Sequence, residues 1–198
     1  MKSIAMAAIL AAGLGQGALA EIYELDAGHT EVRFSYNHAG LTTQNGEWNG
    51  VDGKIDFDAT DVSATKIFVR IDASSVSTGV VALDSHLKSA DFFDVEKFPE
   101  ITFVSTSAVQ TGANSLRMSG DLTIKDITAP AVLDVEMTFQ GEHPLGGFVD
   151  YYKGSWVGVQ ATGTVLRSDF GVDMFAPLTS DAVQINISAE MRAGGWSN

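Results

Sequence analysis

With 198 residues, 45% of them hydrophobic, the chain is long enough for one domain with a sizeable core. A formal charge of −13, from 25 acidic against 12 basic residues, argues against a nucleic-acid partner, because phosphate contacts need Lys and Arg. Cysteine is absent, so neither disulfides nor a thiolate-bound metal can stabilise the fold, and the core must do so.

Residues 1–20 read as a cleaved signal peptide: Lys2, an apolar run through Ile9 and Leu14, then Ala18-Leu19-Ala20 before Glu21. Gly13, Gly15, Gln16 and Gly17 leave that run too short to span a bilayer. The expected compartment is the periplasm, with secretion as second choice. The domain is expected over 21–191, and 192–198 as a loose polar tail.

From Glu31 the chain alternates, with Val32, Phe34, Tyr36 and His38 on one face and Arg33, Ser35 and Asn37 on the other. Turns follow at Gly40, Asn45-Gly46, Asn49-Gly50 and Asp52-Gly53, with Trp48, Ile55 and Phe57 facing inward. Ile67, Val69 and Ile71 form the next apolar face. The stretch Leu83–Phe103 breaks this period-two pattern. Leu83, Leu87 and Ala90 recur at helical spacing after a cap at Asp84 or Ser85, among Phe92, Phe93, Phe98 and Phe103. Pro99 ends that segment and a strand starts at Ile101. The expectation is a short helical lid, about 84–97, over an apolar opening.

Two strongly alternating strands come next, with Leu116, Met118, Gly120, Leu122 and Ile124 inward, then Ala131, Leu133, Val135, Met137 and Phe139. Asp126 to Pro130 reads as their turn. After an aromatic loop (Gly141–Gly154), Trp156–Asp169 reads as a long strand with Val157, Val159, Ala161, Gly163 and Val165 inward. A last strand turns Val183 to Met191 inward. Roughly eight or more such strands with one short helical lid make an all-β domain, as a sandwich or a closed antiparallel barrel. Small inward residues (Gly120, Ala161, Gly163) ease barrel curvature and leave room inside. Apolar faces turned inward are the reverse of a transmembrane barrel.

Little in the chain reads as catalytic. The histidines His29, His38, His86 and His143 are widely spaced, and no nucleophile elbow or phosphate loop appears. Asp26 and His29 fit a turn fixed by side-chain-to-backbone bonds. His38 and Arg167 are the polar residues on inward parity. Arg167 needs a carboxylate such as Asp169 or Asp26, a wet rim, or a bulge that turns it outward. Whether the barrel is hollow or filled is left open.

These residues resemble the YceI-like family of polyisoprenoid-binding proteins. The matching stretches are Asp26-x-x-His29-Thr30 leading into Val32-x-Phe34-x-Tyr36-x-His38, and His86-Leu87-x-Ser89-x-Asp91-Phe92-Phe93-Asp94 with Phe98-Pro99-x-Ile101-x-Phe103. Further matches are Gly120–Lys125 with Thr128-x-Pro130, and Arg167–Gly171. Leu83 departs from an expected Arg, which would weaken a rim salt bridge, and Asp126 from a frequent Gly in a turn. The resemblance implies a lipocalin-like barrel with a long apolar pore for an isoprenoid tail, such as that of a quinone. Its wall would be Phe34, Tyr36, Phe57, Val69, Phe103, Leu122, Met137, Phe139 and Val159, its lid Phe92, Phe93 and Phe98. His38 and Arg167 would lie near a polar head group.

The partners implied are an isoprenoid or other long-chain lipid, a membrane touched transiently during exchange, and a second copy in a homodimer. The lipid is ligand and not cofactor, and no catalytic cofactor or metal is expected. The rival readings are an enzyme acting on a lipid (a hydrolase or isomerase using His38 or His29 with a carboxylate) and a filled-barrel interaction module.

Overall fold

The computed structural model describes residues 21–58 and 61–196. The expected leader, 1–20, lies outside the described residues. The strands are β1 (Glu21–His38), β2 (Thr42–Trp48), β3 (Val51–Phe57), β4 (Lys66–Asp72), β5 (Val76–Ser77), β6 (Glu100–Gln110), β7 (Ser115–Ile124), β8 (Ile127–Glu142), β9 (Ser155–Leu166) and β10 (Ala182–Ala193). Among the described residues one α-helix, α1 (Val81–Lys88), interrupts them. β1 pairs with β10 along one side and with β3 and then β2 along the other. β2 and β3 thus act as one strand kinked at Asn49-Gly50, and the sheet closes as an antiparallel barrel of 8 strands. Closure leaves no long open edge to recruit another chain.

Alternation explains most of the inward faces, and bulges explain where it fails. β1 carries one between Leu25 and Thr30, so the Asp26–His29 turn expected from the sequence is a bulge inside a longer strand. β8 carries another between Met137 and Phe139, which throws Phe139 to the outside. The β7–β8 connection is tighter than expected. Ile124 pairs with Ile127, leaving only Lys125 and Asp126 in the turn, while Pro130 lies within β8. Lys125 takes the left-handed backbone (φ 60°), so the strained position is not the one where a family glycine was expected.

The outer face carries ion pairs such as Arg70–Asp52 (2.7 Å) and Arg117–Asp134 (2.8 Å). These pairs are exposed and screened by water, so they add little to stability, but they make the exterior polar. Among the described residues no helix is long and apolar enough to cross a membrane.

The barrel's two ends differ. At the end where β1 begins, Tyr23, Leu25, Val157 and Met191 are buried against one another, and Trp156 is almost fully enclosed. Of the expected loose tail, residues 192–196 are described and pack against this end, while 197–198 lie outside the described residues. β10 runs to Ala193, and the Trp196 indole donates to Leu25 O (3.2 Å) and stacks on Tyr151 (4.9 Å between centroids). The tail's aromatic side chain thereby covers the filled end. The opposite end, where β1 finishes at His38, is covered by α1 and the turns that follow.

Candidate functional site

That covered end encloses an apolar cavity of about 390 Å³. Its floor is set by paired residues of β1 and β10, Val32 and Ile187. One layer below, Thr30, Ala189, Val159 and Met137 sit side by side across four strands and plug the barrel. The wall above is built from Phe34, Val69, Ile71, Ile101, Phe103, Leu122 and Ile185, with Ile124, Val165 and Val183 nearer the mouth. The barrel is therefore hollow in its upper half, and its lower half holds the buried cluster of Tyr23, Leu25, Val157 and Met191.

The lid sits slightly earlier than its sequence suggested. α1 begins at Val81 without a side-chain cap, and Asp84 instead accepts from Thr78 N (2.7 Å) and Thr78 Oγ1 (2.6 Å), tying the preceding loop to the helix. Those bonds hold the Asp84 carboxyl below its ordinary range. Leu83, His86 and Leu87 line the cavity, and Phe92 and Phe93 close its side. Phe93 meets Trp48 edge-on at 5.7 Å. Leu83, where Arg was expected, therefore adds apolar wall at the mouth.

Of the residues proposed from the sequence, Phe34, Tyr36, His38, Val69, Phe92, Phe93, Phe103, Leu122 and Arg167 line the cavity. Phe57, Phe98, Met137, Phe139 and Val159 do not. Phe57 ends β3 at the filled end, edge-on to Tyr23 (6.4 Å). Met137 and Val159 form the plug below the floor. Phe139 is outside the barrel because of the β8 bulge. Phe98 follows a reversal at Asp94 (φ 49°) and lies under Lys97 (4.6 Å). Sequence parity could not detect a plug: period two says which side a residue faces, not how far along the pore it sits.

The small inward residues act differently from their expected role. A Cβ at Gly120 would lie 2.3 Å from Phe103 Cζ, and one at Gly46 would lie 2.3 Å from Phe34 Cζ. The missing side chains admit neighbouring aromatic rings flat onto the wall; the ligand space lies beyond those rings.

Polar groups gather at the mouth. Arg167 ends β9 and opens a turn of 3-10 helix, and the guanidinium meets no carboxylate at salt-bridge distance among the described residues. All five of its N–H groups are used: Nε to Ser180 O (2.9 Å), Nη1 to Val172 O (2.6 Å) and Met174 O (3.2 Å), and Nη2 to Thr179 O (2.9 Å) and Thr179 Oγ1 (3.0 Å). Neither pairing with Asp169 nor pairing with Asp26 occurs. Burial lowers the Arg167 pKa, opposed by the charges of Asp181 and Asp173. Arg167 thus clamps the 172–181 loop and has no free donor for a head group. Tyr36 and His38 retain theirs: among the described residues no side-chain hydrogen bond occupies either. Burial raises the Tyr36 hydroxyl's pKa, with Arg167 opposing. His86 was not proposed from the sequence; it stands edge-on to Phe92 (5.0 Å) with Nε2 3.2 Å from Asp91 Oδ2. Its period-matched neighbour Leu83 was the signal that could have found it.

A second, more polar cleft of about 350 Å³ lies outside the filled end, lined by His29, His143, Gln160 and Glu190. Buried Asp26 adjoins it. Asp26 Oδ1 accepts from Gly28 N (2.9 Å) and Tyr151 OH (2.8 Å), while Oδ2 bonds His29 Nδ1 (2.7 Å). The expected turn-fixing bond is present, and Tyr151, from a loop 125 residues away, is the partner that sequence missed. Burial pushes the Asp26 pKa up, but the bonds from His29 and Tyr151 outweigh it and the carboxyl ends below its usual range. The bond to Asp26 raises His29. Tyr151 is pushed up to about 12 by burial and by Asp26. Asp26, His29 and Glu190 offer donor atoms within 4.8 Å of one another, the one group of metal-ligand type among the described residues. With the Asp26 oxygens already engaged, the group serves first to lock the β1 bulge to the 143–154 loop.

Comparison with known proteins agrees with this barrel. The model of the YceI-like domain matches residues 23–191. A UPF0312 protein of Pseudomonas savastanoi pv. phaseolicola is 35% identical over 192 residues, 96% of each chain. The crystal structure of Burkholderia cenocepacia BcnA superposes with a TM-score of 0.73 at 20% identity, over 84% of this chain and 98% of that one. A polyisoprenoid binding domain from Saccharophagus degradans, implicated in plant cell wall breakdown, superposes with a TM-score of 0.62 at 14% identity, over 86% and 98%. At those identities the two structures bear on the fold alone.

Proposed function

The chain belongs to the YceI-like family, and from that premise we propose that it binds a polyisoprenoid or similar long-chain lipid in the upper half of its barrel, without chemistry. The observation that carries this reading is a cavity walled almost wholly by apolar side chains, whose polar groups, apart from the Trp48 indole N–H, are those of Tyr36, His38, His86, Arg167 and Thr179, gathered toward the mouth. Such a site suits a long hydrocarbon entering tail first with a modest polar head left outside. The Saccharophagus degradans domain, described as polyisoprenoid binding, shares the barrel and is consistent with this ligand class.

Magnitudes favour the same ligand. A prenyl unit adds five carbons, so burying one contributes about 4 kcal/mol at ~0.8 kcal/mol per carbon group. Association costs about 4–15 kcal/mol, which one to about four buried units offset. Selection then rests on the length and shape of the hollow, and the plug of Met137 and Val159 limits how many units fit. The expected leader makes the periplasm the compartment in this reading, where an apolar chain needs a carrier or store to stay out of water.

Native mass spectrometry of protein purified from its own host tests the proposal. The expected spectrum carries a non-covalent lipid adduct, released on activation. Protein without adduct that also fails to take up a prenylquinone from detergent would refute it.

A further inference from the structure

Three exposed chain tips at the cavity mouth share an uncharged, apolar composition on this acidic protein. The β1–β2 turn presents Leu41, the start of α1 presents Val80 and Val81, and the loop before β10 presents Phe175 and Leu178. These side chains are between 56% and 80% exposed. The tips are held together: Ala39 N donates to Leu178 O (2.7 Å), His38 pairs with Thr179, and the Phe175 ring stands 6.2 Å from His86 of α1. His38, Leu83, Phe175 and Thr179, from the same three segments, line the cavity itself, so the outer apolar tips are continuous with the inner wall.

None of the stretches 39–43, 78–83 and 174–180 contains an Asp, Glu, Lys or Arg, in a chain that is 19% charged with a net charge of −13. Scattered exposed hydrophobic residues need no explanation, but three uncharged apolar tips grouped at the mouth of an apolar pore do. The opposite end offers a contrast. Its loop also exposes Leu145 and Phe148, but it carries Asp150 and Lys153 and lies over solid core.

We propose that this rim docks the mouth of the barrel onto the surface of a lipid bilayer. The inference rests on the proposed lipid ligand, which resides in that bilayer and would pass into the cavity without crossing water. Charge decides the kind of surface. The three tips have no basic side chain to hold anionic phosphates, Lys125 of the neighbouring β7–β8 turn is bonded to Gly171 O (3.3 Å), and the acidic body is repelled by an anionic leaflet, so docking is to zwitterionic lipid and is driven by apolar insertion.

Flotation of the mature chain with pure phosphatidylcholine vesicles tests this. The wild type co-floats, 0.5 M salt does not release it, and adding phosphatidylglycerol does not strengthen binding. Leu41→Asp, Val81→Asp and Leu178→Asp each lower vesicle partitioning by about tenfold, as expected for losing a partly buried aliphatic side chain. None of the three lines the cavity, so each keeps wild-type uptake of a prenylquinone from detergent micelles. Phe148→Asp, at the far end, leaves flotation unchanged. A wild type that does not float, or a triple variant that still does, overturns the proposal. So does sedimentation showing that the wild type is a dimer which the same substitutions break, because a second copy would then cover the rim. Vesicle binding that persists in a protein unable to take up lipid would instead sink the ligand reading and leave the docking surface standing.

Discussion

Gly46→Ala separates a hollow barrel from a merely loosely packed one. The new methyl would lie 2.3 Å from Phe34 Cζ, 2.7 Å from Cε1 and 3.1 Å from Cε2. Carbon atoms rest at about 3.5 Å or more, so the Phe34 ring must retreat by about 1.2 Å. Trp48 stands 4.8 Å from that ring on one flank and Tyr36 stacks 6.5 Å away, so the open direction is the cavity that Phe34 already lines. A ring with empty space to enter costs about 1 kcal/mol, the lower end of overpacking, and reduced freedom of the unfolded chain offsets part of that. The displaced ring takes the place of about two CH₂ groups of ligand, roughly 1.6 kcal/mol, and weakens lipid binding by about tenfold. Urea unfolding gives the first quantity, and titration with a fluorescent prenyl or fatty-acyl probe gives the second. A stability loss above about 3 kcal/mol with unchanged probe affinity would mean that the ring had nowhere to go, and the hollow would be refuted.

Other perturbations bear on the remaining parts. Arg167→Met leaves four backbone carbonyls without their charged donor; because mouth carbonyls rehydrate in part, the expected cost is about 2–4 kcal/mol, with faster hydrogen exchange at Thr179 and Ser180. Arg167→Lys recovers little, since an ammonium cannot span the fork. Phe139→Ser, at the bulge, should change stability by less than about 1 kcal/mol, whereas an inward Phe would cost several. The Asp26–His29 pair sets a pH dependence. His29 has a raised folded pKa, so its stabilisation is complete below its ordinary value of 6.5 and is lost as pH rises through the folded value. Asp26 has a lowered one, so its stabilisation holds above the ordinary value of 3.8 and is lost as pH falls through the folded value. Urea midpoints should therefore fall as pH rises through the folded His29 value, and His29→Gln should flatten that limb and also weaken the acid limb, because His29 is one of the two groups that hold Asp26 low.

How much of this was legible in the sequence depends on what kind of information each feature needs. Val32, Phe34 and Tyr36, or Leu116 to Ile124, announce their faces because period two is a local property of the pleat. The lid announced itself by breaking that period. Phe139 was misplaced because one extra residue opposite Gly158 reverses parity, and a bulge leaves no local mark when Thr138 looks like any strand residue. Arg167 was on the correct parity, but its partners are carbonyls. Every residue has a carbonyl, so composition could only suggest carboxylates. Trp196 looked like part of a loose tail because its partners, Glu24, Leu25 and Tyr151, are distant in sequence.

The plug is the most instructive of the missed features, because it links stability to specificity. A fully hollow barrel of this size would forfeit the apolar burial that a chain without disulfides depends on. A fully filled one could hold no lipid. Placing Met137, Val159, Ala189 and Thr30 in one layer divides the barrel so that the lower half supplies the core and the upper half the site. Substitutions below that layer should then act on stability with little effect on ligand, whereas those of cavity-facing side chains above it should act on ligand as well. Met137→Ala lies on the boundary and should do both: it loses about 2–3 kcal/mol of packing and deepens the hollow by roughly one side chain. The affinity optimum should accordingly move toward a longer tail, which a series of prenols of increasing length would register. An unchanged length preference would place the end of the ligand well short of the plug and assign selection to the lid instead.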